Sequence, residues 1–212
     1  MPPTRKERQA HTRECLLRSA ARVFARRGLQ EASIDEVAQD AGFTKGAFYA
    51  NFRSKEELFL AMLDEQFARR IEEMNARLAG DELPTEQARA AGDAFARYAL
   101  GQREWERLFF EFAAHAARHE DFRQELVTRY RSLRGHMAAM YRERAERLGH
   151  ESPIAYDDLA LMVFAMCNGF ALESLLEPGD VPETLLGEML ETFFTGLRVR
   201  AGLPDAATEQ AL

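Results

Sequence analysis

The chain has 212 residues, 46% of them hydrophobic and 30% charged, which is enough apolar mass for one large or two modest cores and too much for a disordered chain. Its two cysteines, Cys15 and Cys167, stand far apart with no Cys-x-x-Cys pairing, so neither a disulfide framework nor a zinc site is indicated. The formal net charge of −7 is unevenly spread: residues 1–55 hold 11 Lys and Arg against 6 Asp and Glu, and the remainder holds 17 against 29. A basic head on an acidic body is the electrostatic footprint of nucleic-acid binding, because local charge and not the total sets phosphate affinity.

Taken in order, residues 1 to about 8 carry two prolines and then Arg5, Lys6 and Arg8. They read as a basic arm that lies along DNA or, equally well, as a solubilising tail. From about Glu7 to Arg27 the residues Leu16, Leu17, Ala20, Val23 and Phe24 form one helical stripe. Ser33 and Glu36 have the spacing of a capping box, so a helix is predicted from Ile34, with Val37, Ala38 and Ala41 on its inner side and Gly42 free to leave the helix with positive φ. Thr44 caps a second helix to about Phe52, with Phe48 and Phe52 inward and Lys45, Gly46, Ala47, Tyr49 and Asn51 outward.

Two short helices joined by a Gly-containing turn form a helix-turn-helix, whose second helix enters a DNA major groove. Lys45 supplies a cation, Tyr49 a hydroxyl and Asn51 an amide. Gly46 and Ala47 remove bulk so that backbone N–H groups approach a phosphate. With Thr44 at the helix start and Lys55 at the flank, these form the predicted DNA-binding set. On spacing alone, a two-helix corner with a solvated polar face fits equally well.

Lys55 opens a long helix to about Ala79, broken at residues 80–84, and the helices expected beyond it run from Thr85 to Gly101, Arg103 to Arg118, Phe122 to Leu148, Asp157 to Leu176 and Pro182 to Arg200. No alternating strand pattern occurs, so the fold class is all-α. The helix to Leu176 is apolar around nearly its whole circumference and the final helix repeats that demand, which suits burial against a second chain in a four-helix bundle. Leu172, Leu176, Leu186, Met189, Leu190, Phe193 and Leu197 form the predicted dimer interface; a buried helix within a monomer is the alternative. Glu111, His115 and His119 recur every four residues on one helix face, a spacing open to a divalent ion but matched as well by an ordinary polar face, and no metal is assigned. No apolar run of membrane-spanning length is read and the polar, basic N-terminus lacks a signal core, so a cytoplasmic protein is expected.

The run Gly42 to Phe52, followed by Ser54, Lys55, Glu56, Glu57, Leu58 and Phe59, closely resembles the TetR family of bacterial transcriptional regulators. Leu16, Ala20, Phe24, Gly28, Ala32 and Ser33 fit the same pattern, while Cys15 stands where it usually has a branched aliphatic. The resemblance implies a three-helix DNA-binding head at residues 1–54 and a helical ligand-binding and dimerisation body at 55–212. It also implies a homodimer on a pseudo-palindromic operator, released by a small apolar or amphipathic ligand, with no cofactor. The ligand-binding residues expected on that basis are Trp105, Phe109, Phe112, His115, Tyr130, Tyr141, Met166, Asn168 and Phe170, although aromatic and Met side chains serve a plain core as readily. Control by a protein partner is the alternative. An all-α enzyme is disfavoured, because no nucleophile motif, phosphate loop or HExxH occurs.

Overall fold

The computed structural model describes residues 4–78 and 84–203. Among these it holds nine α-helices and no strand: α1 (Arg5–Glu31), α2 (Ile34–Asp40), α3 (Lys45–Tyr49), α4 (Lys55–Leu78), α5 (Pro84–Gly101), α6 (Arg103–Ala116), α7 (Glu120–Arg147), α8 (Tyr156–Leu176) and α9 (Leu185–Arg200). Packing gathers Met1–Ala68 with Arg107–Arg129 into one compact unit, and Arg69–Glu106 with Tyr130–Leu212 into another. The division expected from the motif, at residues 54 and 55, follows function; this one follows contacts.

Several helix ends differ from the sequence expectation for local reasons. α1 begins at Arg5 because Thr4 and Glu7 form a reciprocal capping box, so Arg5, Lys6 and Arg8 are helical and not part of an arm. Residues 1–3 of that arm, and residues 80–83 of the expected break, lie outside the described residues. At Ser33 only half of the predicted box forms: the hydroxyl accepts from Glu36 N–H, while the Glu36 carboxylate pairs with Arg27 at 3.3 Å. α3 stops at Tyr49, short of Phe52, where the Asn51 N–H bonds the Phe48 carbonyl at 2.8 Å in a tight turn.

The first unit is built on aromatic packing. Phe59 of α4 and Phe112 of α6 stack with ring centroids 3.4 Å apart, Phe24 of α1 meets Phe112 edge-on at 6.0 Å, and Phe122 of α7 closes the group at 5.8 Å. Such pairs contribute about 0.5–1.5 kcal/mol each beyond area burial. Gly28 breaks α1 with φ 73°, and the exposed backbone is satisfied by the Glu111 carboxylate, which accepts from Leu29 N–H at 2.8 Å. Ser19, wholly buried, donates to the Val37 carbonyl and stands 2.8 Å from the Asp40 carboxylate, tying α1 to α2.

In the second unit α5 packs most extensively against α9 and also meets α8. The α5–α9 crossing is possible because two glycines face each other: a Cβ at Gly92 would lie 2.7 Å from the Gly187 Cα. That closeness buries Leu186 and Leu190 inside the chain, 0% and 3% exposed, so these two members of the expected dimer interface belong to the core. α8 buries Leu159, Ala160, Val163, Phe170, Ala171 and Ser174 and exposes Leu161, Met162, Leu172 and Leu176. By length and hydropathy α8 is also long and apolar enough to cross a membrane. The expectation of no such run fails there, because apolar residues cover its outer face as well as its inner one.

Candidate nucleic-acid interface and an apolar cavity

α2, its turn and α3 form a helix-turn-helix. Gly42 takes φ 77°, which only a residue lacking Cβ adopts without strain. Phe43 N–H then bonds back to the Ala38 carbonyl at 2.8 Å, closing α2 in the manner of a Schellman cap. Thr44 caps α3 by accepting from Ala47 N–H at 3.2 Å. Phe48 and Phe52 anchor the inner side, 0% and 2% exposed, with Arg13 over the Phe52 ring.

The predicted DNA-binding residues part into two groups. Thr44, Lys45, Gly46 and Tyr49 lie exposed on one side, with Ala47 half-buried among them. Tyr49 is 51% exposed, and Lys45 pairs with Asp35 at 2.9 Å, both side chains in solvent. Their hydrogen bond raises the Lys45 ammonium above its ordinary value. Such an exposed pair is worth little to stability.

Asn51 and Lys55 are placed otherwise. The Asn51 amide donates to the Ala47 carbonyl at 2.8 Å, and its Oδ1 is buried with no hydrogen-bond partner among the described residues. Lys55 donates to the carbonyls of Leu29 and Ala32 at 2.9 and 2.8 Å and lies 3.5 Å from that of Gln30. Its ammonium therefore caps the C-terminal end of α1, where unsatisfied carbonyls attract a cation.

A cavity of about 250 Å³ lies wholly inside the second unit. Ala88, Ala91, Phe95 and Tyr98 supply the α5 wall, Met137, Met140, Tyr141 and Arg144 the α7 wall, Val163 and Cys167 the α8 wall, and Leu190 and Phe194 the α9 wall, with Arg70 and Met74 of α4 completing it. Small residues on α5 leave the space and aromatic ones bound it. Burial pushes the Tyr141 phenol up and the Cys167 thiol up to about 12, so both stay protonated and neutral. The Arg70 guanidinium lies over the Tyr98 ring at 4.0 Å and the Phe95 ring at 4.6 Å and is 3.5 Å from the Glu106 carboxylate. Burial raises Glu106 against the pull of Arg70.

Of the nine expected ligand-binding residues only Tyr141 lines this cavity. Phe109, Phe112 and His115 fall in the first unit, where Phe109 and Phe112 are buried in the core and His115 faces Glu56 at 3.5 Å. Trp105, Tyr130, Met166, Asn168 and Phe170 lie in the second unit away from the space; Tyr130 packs on Phe164 and Phe170 is 4% exposed. A detectable signal was missed: Ala88, Ala91, Phe95 and Tyr98 fall at helical spacing with small residues toward the start and aromatic ones toward the end. Arg144 carried none, since nothing local marks a buried arginine.

The Glu111, His115 and His119 face does not converge. Glu111 turns to Leu29 N–H, the two imidazoles lie 4.0 Å apart in ring contact, and no group of three metal-ligating side chains forms among the described residues.

Two family models match the chain: "Bacterial regulatory proteins, tetR family" over residues 16–62 and "BetI-type transcriptional repressor, C-terminal" over residues 84–199. The chain resembles the HTH-type transcriptional activator FasR of Mycolicibacterium smegmatis, 34% identical over 96 residues, 45% of this chain and 44% of that protein. The first curated relatives are matched over only 33%, 17% and 36% of their own lengths. Solved structures share the fold along most of the chain. A putative TetR-family regulator from Mesorhizobium loti gives a TM-score of 0.74 at 15% identity, covering 93% of this chain and 98% of that one. FadR from Bacillus subtilis, solved with stearoyl-CoA, gives 0.70 at 14% identity, covering 85% and 96%.

The helix-turn-helix lies within the segment that the tetR-family model matches, and the all-helical body that follows carries the cavity. The chain belongs to the TetR family of bacterial regulatory proteins.

Proposed function

We propose that the chain is a homodimeric repressor that holds a pseudo-palindromic operator with α3 and releases it when a small apolar or amphipathic molecule fills the cavity of the second unit. The observation that carries this reading is that cavity, apolar and built from five helices, four of which (α5, α7, α8 and α9) lie in or chiefly in the segment matched by the repressor C-terminal model. Thr44, Lys45, Gly46, Ala47 and Tyr49 form the reading face. With two small residues among them, direct base contacts are few and DNA shape contributes to selection. Half-sites stand about one helical turn, roughly 34–36 Å, or a multiple apart.

The dimer forms through the outer face of α8 and α9. Leu161, Met162, Leu172, Leu176, Leu185 and Val199, 37–67% exposed, make an apolar surface of the kind that marks an interface. Met189, Phe193 and Leu197, half-buried, support it. A ligand that prefers one arrangement of the body helices shifts the population toward a head spacing that no longer fits the operator. Such a protein works in the cytoplasm, where its DNA lies.

The test begins with sequencing of the DNA retained by the purified protein, followed by binding of that DNA at fixed salt. Tyr49→Phe and Lys45→Ala weaken binding while Leu176→Glu, in sedimentation, yields monomers. Wild-type affinity in both α3 variants, or an unchanged dimer in Leu176→Glu, overturns the assigned faces.

A further inference from the structure

We infer that the molecule this cavity takes is uncharged, an apolar body bearing one hydrogen-bond acceptor oxygen, and that the Tyr141 hydroxyl receives that oxygen. The inference rests on the reading of the cavity as the effector site and adds the chemical class of its occupant. The charged side chains of the inner wall are already committed. The Arg70 guanidinium is divided between the Phe95 and Tyr98 rings and the buried Glu106 carboxylate, and Arg144 and Arg198 are engaged within the protein. Glu73, Arg77 and Glu151 are exposed and hold their charges in water, where they are screened. A charged ligand would therefore leave water for a wall whose counter-charges are taken, a desolvation that nothing there offsets.

Tyr141 differs from these groups. Its ring lies against Phe194 at 5.8 Å, while its hydroxyl has no hydrogen-bond partner among the described residues. The side chain keeps accessible surface, yet burial holds the phenol protonated, so the surface it shows is that of the cavity and not of open solvent. The other phenol of the wall, Tyr98, already accepts from Arg70. A protonated phenol is a donor, and its complement is a carbonyl or ether oxygen. Cys167, a neutral thiol, adds polarity to the wall without charge. Ala88, Ala91, Met137, Val163 and Leu190 bound much of the remaining space, which suits a hydrocarbon body. An apolar cavity of about 150 Å³ holds benzene, so one of about 250 Å³ admits a ring with a short chain.

Four probes that share a phenyl ring and a four-carbon chain separate the classes: butyrophenone, butylbenzene, 4-phenylbutyrate and 4-phenylbutylammonium, titrated calorimetrically with the full chain at neutral pH. Butyrophenone is expected to bind about five-fold tighter than butylbenzene, the worth of one neutral buried hydrogen bond, and both ions more weakly than butylbenzene. In Tyr141→Phe, which keeps the ring on Phe194, butyrophenone falls to the affinity of butylbenzene while butylbenzene is unchanged. Val163→Trp and Ala91→Phe, which fill the space, abolish binding of both neutral probes. Equal binding of the two neutral probes to wild type, an ion that binds as tightly as butyrophenone, or a ketone preference that survives in Tyr141→Phe overturns the assignment and leaves the cavity as the effector site. The expected order of binding with operator affinity unchanged by butyrophenone upholds the ligand class and removes the effector reading. Absence of binding by all four probes, or binding untouched by both filling variants, overturns both.

Discussion

The α5–α9 crossing gives the sharpest stability test, because two opposing effects act on one methyl group. In Gly92→Ala the new Cβ would lie 2.7 Å from the Gly187 Cα and 2.8 Å from both the Gly187 N and the Leu186 carbonyl O. All three are backbone atoms, so no side-chain rotation relieves the contact. Reaching the 3.4 Å of ordinary contact requires the helices to part by about 0.7 Å, and a gap of that size forfeits roughly a quarter to a half of the dispersion energy of neighbouring contacts. Overpacking of this kind costs about 1–3 kcal/mol, while alanine returns about 1 kcal/mol of helix propensity. The forfeited dispersion is part of that overpacking cost, so the net expectation is a loss of about 1 kcal/mol and at most about 2, or a fall in Tm of about 2–8 °C for a chain of this size. Gly135→Ala is the matched control: Gly135 is exposed inside α7, and no atom stands within 4 Å of the place its new methyl group would take, so it should gain about 0.5–1 kcal/mol. Urea unfolding followed by circular dichroism reads both variants. Gly92→Ala at or above wild-type stability, with Gly135→Ala stabilised, would refute the close crossing.

Two further substitutions separate structural from recognition roles. Lys55→Met removes the ammonium shared by the carbonyls at the end of α1 and should cost about 1.5–3 kcal/mol in urea unfolding, with operator affinity unchanged where the protein remains folded; an affinity loss without a stability loss would return Lys55 to the DNA face. His115 sets a pH dependence. Burial and the neighbouring His119 hold its imidazole below the ordinary 6.5, against the opposite pull of Glu56. The unfolded chain therefore takes up the proton first, so this contribution is complete above pH 6.5 and is lost as pH falls below it. Tm measured from about pH 8 to about pH 5 should fall more steeply for wild type than for His115→Gln, and parallel curves would dismiss the role.

What could be read from the sequence was what local chemistry determines. Ser33, Gly42 and Thr44 mark the ends of α2 and α3 through bonds that reach three to five residues, so those ends follow from the residues themselves. Asn51 and Lys55 lie beside the same motif, yet the Asn51 amide nitrogen donates to the Ala47 carbonyl and the Lys55 ammonium is taken by a carbonyl cluster 23–26 residues away, a choice that for Lys55 only tertiary proximity makes. The cavity was harder still. Phe112 and Tyr141 are both aromatic residues on apolar helix faces; one fills a core and the other borders an empty volume, because a cavity is defined by where side chains fail to meet. The same holds for Leu186 and Leu176, chemically identical: Leu186 is buried where Gly92 and Gly187 let α9 approach α5, and Leu176, the last residue of α8, is exposed.

The ammonium of Lys55 has a mechanical consequence. It is the first residue of α4, and the carbonyls it grips are the last of α1, the helix that Ser19 fastens to α2. The start of α4 is thus riveted to the floor on which α2 and α3 stand. Any displacement of this first turn must break those bonds or carry Leu29 and Ala32 with it, so the cation that ends one helix also fixes the start of the other.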